Sequence, residues 1–410
     1  MSLKKSPLAP ATFPDLPAIQ GVSLASIAAG IKYAERDDVL LAVFEPGASA
    51  AGVFTQSLTA SAPVELCRAN LGTETARALV VNSGNANAFT GSAGERCCAT
   101  VAAEIANAVG AAPEEVFQAS TGVIGEPLDP EKIVVAIPDM MARLTPAGWL
   151  AAASAIMTTD TFPKGVTGTA KIGDTRVVIN GIAKGSGMIA PDMATMLAYF
   201  FTDAEIPASL LQALLEEANA GSFNAITVDS DTSTSDTNML FATGAAGNPI
   251  PAGIDDPSLA EFRALLKSLM QELAIQVVRD GEGASKLIRV QVTGADSDSA
   301  ARSIALAVAN SPLVKTAVAG EDANWGRVVM AVGKSGQRAE RDRLRISMGG
   351  VLITEYGQVV ADYDESQVAA HLTGQEIEIE VDLGLGKGNF TVWTCDLTHG
   401  YISINADYRS

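Results

Sequence analysis

The chain has 410 residues, 48% of them apolar and 18% charged, with 28 Lys and Arg against 47 Asp and Glu for a net charge of −19. That length suits two or three domains of roughly 150 residues, or one large core with a satellite, and the apolar share excludes disorder. So acidic a surface repels phosphate backbones and anionic lipid, which excludes nucleic acid and membrane surfaces as partners.

Lys4 and Lys5 open the chain, but Pro7, Pro10, Pro14 and Pro17 then interrupt any apolar stretch, so no signal peptide is expected. No run approaches the ~18 apolar residues that span a bilayer. Cys67, Cys97, Cys98 and Cys395 lack CxxC spacing and read as reduced, partly buried thiols of a cytoplasmic protein. With only His371 and His399, a His-rich metal centre is excluded and any catalysis must find its base elsewhere.

In chain order, Cys97, Cys98, Val101, Ile105 and Val109 recur at near-helical spacing, which predicts a helix over 94–109 stopped by Gly110. Strands are expected over 176–182 and 196–201. Asp229, Asp231 and Asp236 form a carboxylate-rich run that could bind Mg²⁺ or Ca²⁺, but it lacks the glycine and glutamate of an EF-hand loop. The run is read as a hydrogen-bonded loop and strand start. Asp256 and Pro257 open a second helix whose Leu259, Phe262, Leu266, Leu269, Met270, Leu273 and Val277 share one face. Further strands are predicted over 287–292, 344–348 and 390–393. Ile377, Ile379 and Val381 alternate with Glu376, Glu378 and Glu380, so that strand has one wet face. Such a mixture is an α/β protein with helices outside stacked sheets and a strand-rich C-terminal part.

The most informative run is KGSGMIAPDMATMLAYFFTD, residues 184–203. Gly185 and Gly187 make the backbone easy to bend, Pro191 stiffens it, and Ala194 and Thr195 lead into an apolar strand. A threonine there is either a plain β-former or a nucleophile behind a flexible loop. As a nucleophile it lacks a histidine, and one solution needs none. Attack of Thr195 Oγ on the Ala194 carbonyl, an N-to-O acyl shift, gives an ester that water can cleave. Thr195 is then left with a free α-amine, whose pKa of about 7.7–8.0 allows it to accept the hydroxyl proton of its own residue.

Other blocks point the same way: VNSGNANAFTG (81–91), ASTGVIGEPL (119–128), AIMTTDTFPK (155–164), DSDTSTSDT (229–237), RDGEGASK (279–286) and EDANWGR (321–327). Together with the self-cleavage run they resemble, in order and from end to end, the ornithine acetyltransferase family, also called glutamate N-acetyltransferase, of arginine biosynthesis. The resemblance implies an α-β-β-α layered core akin to N-terminal nucleophile hydrolases. It also implies cleavage between Ala194 and Thr195 into chains 1–194 and 195–410 that share one core, assembled as a heterotetramer of two of each.

By the same resemblance Thr195 is the nucleophile, and Thr121 and Gly122 form the oxyanion hole, although an STG run is otherwise an ordinary turn. Thr158 (with Thr159 as its neighbour), Lys184, Thr195, Glu282, Asn405 and Ser410 bind substrate. The implied reaction is a ping-pong transfer of acetyl from N-acetylornithine to glutamate, giving ornithine and N-acetylglutamate. No metal and no tightly bound cofactor are implied. Some members also accept acetyl-CoA as co-substrate, and no CoA-cradling motif is visible here. An N-terminal nucleophile aminopeptidase or amidase is the alternative. The oxyanion role carries the expectation that Gly122→Val costs turnover more than folding.

Overall fold

The computed structural model describes residues 4–33, 35–190 and 196–406. In chain order the first unit comprises β1 (Val22–Ile27), β2 (Val39–Phe54), α1 (Ala62–Asn70), β3 (Thr75–Asn85), α2 (Gly91–Val109) and β4 (Val116–Val123). Three short helices follow, α3 (Glu131–Val134), α4 (Ile137–Ala142) and α5 (Trp149–Ala155). Then come β5 (Lys164–Ile172), β6 (Thr175–Lys184), β7 (Leu197–Thr202), α6 (Ala208–Ala220), β8 (Thr237–Ala242) and α7 (Ala260–Arg279).

The seven strands β4-β3-β2-β8-β7-β6-β5 lie side by side, with β1 pairing β2 as an eighth. The register shifts within β2 between Val43 and Ala48. Before that irregularity β2 pairs with β1 and β3; after it Ala48 and Ser49 still pair with β3, and Ser49 to Phe54 pair with β8. A flat sheet would keep β4 and β8 roughly 14 Å apart at about 4.8 Å per strand. Yet the Phe117 ring on β4 is 5.9 Å from Phe241 on β8, and Phe44 on β2 stacks on Phe241 at 4.6 Å. The sheet therefore folds over on itself at β2.

Leu40, Leu79, Phe117, Tyr199 and Phe241 fill the space between the two halves. Helices α2, α3 and α4 cover the outside of one half, through Val101, Ile105, Ile133 and Met140. Helices α6 and α7 cover the outside of the other, through Leu211, Leu215, Phe262, Leu266 and Leu273. The layering is α-β-β-α, as expected. In α2, Cys97, Cys98, Val101 and Ile105 are buried on one stripe, and Gly110 ends the helix. Helix α7 differs at its start: Asp256 caps a 3₁₀ turn, Pro257–Leu259, by accepting from Ser258 N at 2.9 Å, and α-geometry begins only at Ala260. A tight first turn before an α-helix is a common way of satisfying the free N–H groups there.

The second unit contains β9 (Leu287–Ala295), α8 (Asp298–Ala309), α9 (Pro312–Ala319), α10 (Trp325–Gly333), β10 (Arg345–Met348), β11 (Val351–Glu355) and β12 (Gln358–Val359). It continues with α11 (Glu365–Leu372), β13 (Glu376–Asp382), β14 (Gly388–Cys395) and α12 (His399–Asn405). Its strand order is β12-β11-β10-β13-β9-β14. Ile288, Val290, Ile377, Ile379 and Val381 pack under α8 and α10, while Glu378 on the opposite face pairs with Arg289 at 3.0 Å. Edge strand β14 docks on the first unit, where Trp393 O accepts from Thr227 N at 3.0 Å and Cys395 joins the α6–α7 core. All four cysteines are buried free thiols, and among the described residues no helix is long and apolar enough to cross a membrane.

Phe241 touches aromatic rings from both half-sheets, so its loss opens a cavity that neither half can close alone. Phe241→Ala should cost about 3–5 kcal/mol of stability, read as a lower denaturant midpoint in equilibrium unfolding.

Candidate active site

Where the two half-sheets meet, the ends of β4 and β6 and the segment entering β8 surround a cavity of about 340 Å³. Thr121, Gly122, Thr158, Lys184, Glu282 and Asn405 all line it, although they come from five separated stretches of sequence. Ala194, Thr195 and Ser410 lie outside the described residues. Met196, buried one position beyond Thr195, donates its N–H to Asp236 Oδ1 at 3.2 Å. The chain therefore enters β7 beside Ser233, Thr234 and Ser235, which form one wall.

The β4 wall begins with a parallel pairing of Gly122 with Gly84 on β3. Gly122 has φ +135°, and a Cβ there would sit 2.3 Å from the Gly84 carbonyl carbon. Only glycine allows the two backbones to come this close. This reverses the expectation for Gly122→Val: the clash is with backbone, so folding suffers along with any catalytic role. The Thr121 hydroxyl, next to it, has no hydrogen-bond partner among the described residues and borders the cavity.

Lys184 is the last residue of β6, paired with Leu197 on β7, and is buried rather than solvated. Its Nζ lies 3.4 Å from Thr158 Oγ1. Burial pushes its ammonium below the usual lysine range and Lys164 adds to that, while Asp160, Asp236 and Glu282 oppose the shift. Glu282 is 8% exposed, and burial raises its carboxyl above the usual range against hydrogen bonds from Asn405 and Thr159. Asn405 Nδ2 donates to Glu282 Oε2 at 2.6 Å, and Glu282 N donates to Ser186 O at 2.9 Å. Gly187 faces the same carboxyl so closely that a Cβ would lie 2.4 Å from it. Thr158 and Thr159 both line the cavity, and Thr159 Oγ1 is 2.7 Å from Ser186 Oγ.

The acidic run divides between two jobs. Asp229 accepts from Met188 N at 2.6 Å and Ile189 N at 2.9 Å, holding the loop after β6, and Tyr401 Oη donates to it at 3.2 Å. Asp236 receives Met196 N, and burial lifts its carboxyl well above the usual range. The run is a hydrogen-bonded loop and strand start, as read from the sequence. Sequence reasoning missed Ala86, Ile124, Met188 and the Ser233–Ser235 wall. Serines in a polar loop carry no spacing signal, and their position beside the start of β7 follows from the parallel β7–β8 pairing. It also missed the ion cluster of Asp160, Lys164 and Asp280 behind the wall.

Fold and cavity together define the class: an α-β-β-α layered protein with a cleft holding buried charged groups at the ends of strands from both halves of the folded sheet. The family follows from comparison. A family model described as the ArgJ family matches residues 23–410. The arginine biosynthesis bifunctional protein ArgJ of Agrobacterium fabrum is 59% identical over 413 residues, covering 100% of both chains. That of Gluconobacter oxydans is 60% identical over 408 residues, covering 100% of this chain and 96% of the relative. A solved ornithine acetyltransferase complexed with ornithine, from Mycobacterium tuberculosis, is 33% identical over 44% of this chain and 94% of that chain, with a TM-score of 0.39. The chain belongs to the ArgJ family and is an acyltransferase of arginine biosynthesis.

Gly122→Ala is expected to destabilise the fold by about 2 kcal/mol or more, through the backbone clash and the positive φ. The check is a lowered thermal midpoint alongside reduced activity.

Proposed function

We propose that the chain is a glutamate N-acetyltransferase working by ping-pong transfer through an acetyl ester on Thr195. The observation that carries the reading is the meeting of Thr121, Gly122, Thr158, Lys184, Glu282 and Asn405 on one cavity, where the chain enters β7 at Leu197, two residues after Thr195.

Self-cleavage comes first. Thr195 Oγ attacks the Ala194 carbonyl, the peptide C–N bond breaks as the ester forms, and water hydrolyses the ester. Chains 1–194 and 195–410 remain together because β6 and β7, on opposite sides of the cut, pair along six residues from Ile179↔Thr202 to Lys184↔Leu197. The Thr195 amine then serves as base for its own hydroxyl.

In acetyl transfer, Thr195 Oγ attacks the acetyl carbonyl of N-acetylornithine. The oxyanion forms against the Thr121 hydroxyl and the Gly122 N–H, donors worth a few kcal/mol when preorganised. The amide C–N bond breaks, and the Thr195 ammonium gives its proton to the departing ornithine amine. Glutamate's amine then attacks the ester, and N-acetylglutamate leaves with Thr195 restored. Lys184 receives the substrate α-carboxylate and Glu282 its amino group, a charge-assisted pair that fits a zwitterion. The threonine itself carries the acyl group, so the reaction needs no tightly bound cofactor, and acetyl-CoA is a second donor to be tested. The working form is a cytoplasmic heterotetramer of two of each chain.

Thr195→Ala should abolish both cutting and transfer, leaving one uncut mass in the spectrum of the purified protein, whereas Thr195→Ser should retain some of each. Processing of the alanine variant at the normal rate would refute the assignment. Acetate release from N-acetylornithine at full rate without glutamate would mark an amidase instead. Gly187→Ala should displace the Glu282 carboxylate and weaken ornithine binding in calorimetry by about tenfold, with little change in thermal midpoint because the colliding atoms end a side chain.

A further inference from the structure

Behind the cavity wall an ammonium sits between two carboxylates. Lys164 Nζ lies 2.6 Å from Asp160 Oδ1 and 2.6 Å from Asp280 Oδ2, and none of the three side chains has exposed surface. Taking such charges out of water costs several kcal/mol per ion, offset only when every ion keeps good hydrogen bonds. Here the remaining acceptors point toward the segments that carry the substrate residues. Asp160 Oδ1 also accepts from Gly185 N at 2.7 Å, the residue after Lys184, and Oδ2 accepts from Thr158 N at 3.0 Å. Asp280 accepts from Thr161 N at 2.9 Å and from the Thr161 hydroxyl, and stands two residues before Glu282.

We propose that Asp160, Lys164 and Asp280 are positioning residues for the charged amino-acid substrate. Lys164 draws the two carboxylates together, and each carboxylate places one of the two charged groups the substrate meets, Lys184 and Glu282. The inference rests on the assignment of those two groups to the substrate site made above. The carboxylates are not equivalent. The charged groups facing Lys184 are Asp160, Asp236 and Glu282, with Lys164 as the like charge, and Asp160 is the foremost counter-charge. Asp280 acts by anchoring the backbone that leads to Glu282. Asp160 and Lys164 precede residue 194 and Asp280 follows it, so in a cut protein the cluster also joins the two chains.

The test uses the mature full-length protein and ornithine as probe. Asp160→Asn keeps the shape and an acceptor oxygen but removes the charge. Lys184 should then lose its proton at lower pH, moving the alkaline limb of ornithine affinity to lower pH, with Kd at neutral pH raised about tenfold. Asp280→Asn should raise Kd and leave that limb in place. The Lys184 amine, followed by NMR on labelled lysine and assigned with Lys184→Arg, should titrate lower in Asp160→Asn in the absence of ligand.

A purely structural role would lower the thermal midpoint of both variants and leave Kd, the limb and the Lys184 titration as in wild type. That pattern overturns the proposal. If Asp160→Asn does not fold, Asp280→Asn decides alone, and an unchanged Kd in that variant overturns it. Wild-type protein that fails to bind ornithine overturns the substrate reading itself, and with it the inference. An unmoved Lys184 in protein that does bind ornithine overturns the inference alone.

Discussion

The site depends on a single bend. Where β2 loses register with β3, between Val43 and Ala48, the strand passes from one half-sheet to the other and the sheet closes over its own face. The driving force is burial of the apolar inner faces, with Phe44, Phe117, Phe201 and Phe241 in contact across the fold. A consequence is that the end of β4 from one half and the end of β6 from the other stand on the same cavity. Gly122 and Lys184 have no sequence proximity, and it is this closure that brings them together.

The cavity combines a tight backbone with buried charge. The Gly84–Gly122 approach leaves no room for a side chain, so its peptide groups are held rigidly by two paired strands. Preorganised dipoles of this kind cost little reorganisation when charge develops near them. Opposite them, Lys184 and Glu282 are both shifted by burial toward their neutral forms. Groups so desolvated interact strongly with a charged partner, because little water screens them.

The second unit contributes through one helix. Its sheet buries one face under α8 and α10 and leaves the other wet, a self-sufficient arrangement. From the end of β14 the chain returns to the first unit, where Thr398 Oγ1 donates to Gly283 O at 2.7 Å and α12 lies across the Glu282 loop. Helix α12 has no buried residue of its own. Its contacts include polar ones to Gly283, Glu282 and Asp229, together with a close backbone approach of Gly400 to Gly283.

The sequence by itself determined what is local. Periodicity marked α2 and α7, alternation marked β13, and the block pattern that resembles one family pointed to Thr121, Gly122, Thr158, Lys184, Glu282 and Asn405. Those signals are legible because helix and strand faces repeat along the chain and because a reactive motif is a short run of residues. The run around Thr195 was legible in the same way, as a glycine loop leading into an apolar strand. Only the tertiary structure decided the fold-over at β2, the Ser233–Ser235 wall and the burial of Lys164 between Asp160 and Asp280. Each of these depends on which strands become neighbours, and the Asp280 contact spans 116 positions. Pairings at that separation follow from the packing of whole layers, which no local window of residue types encodes.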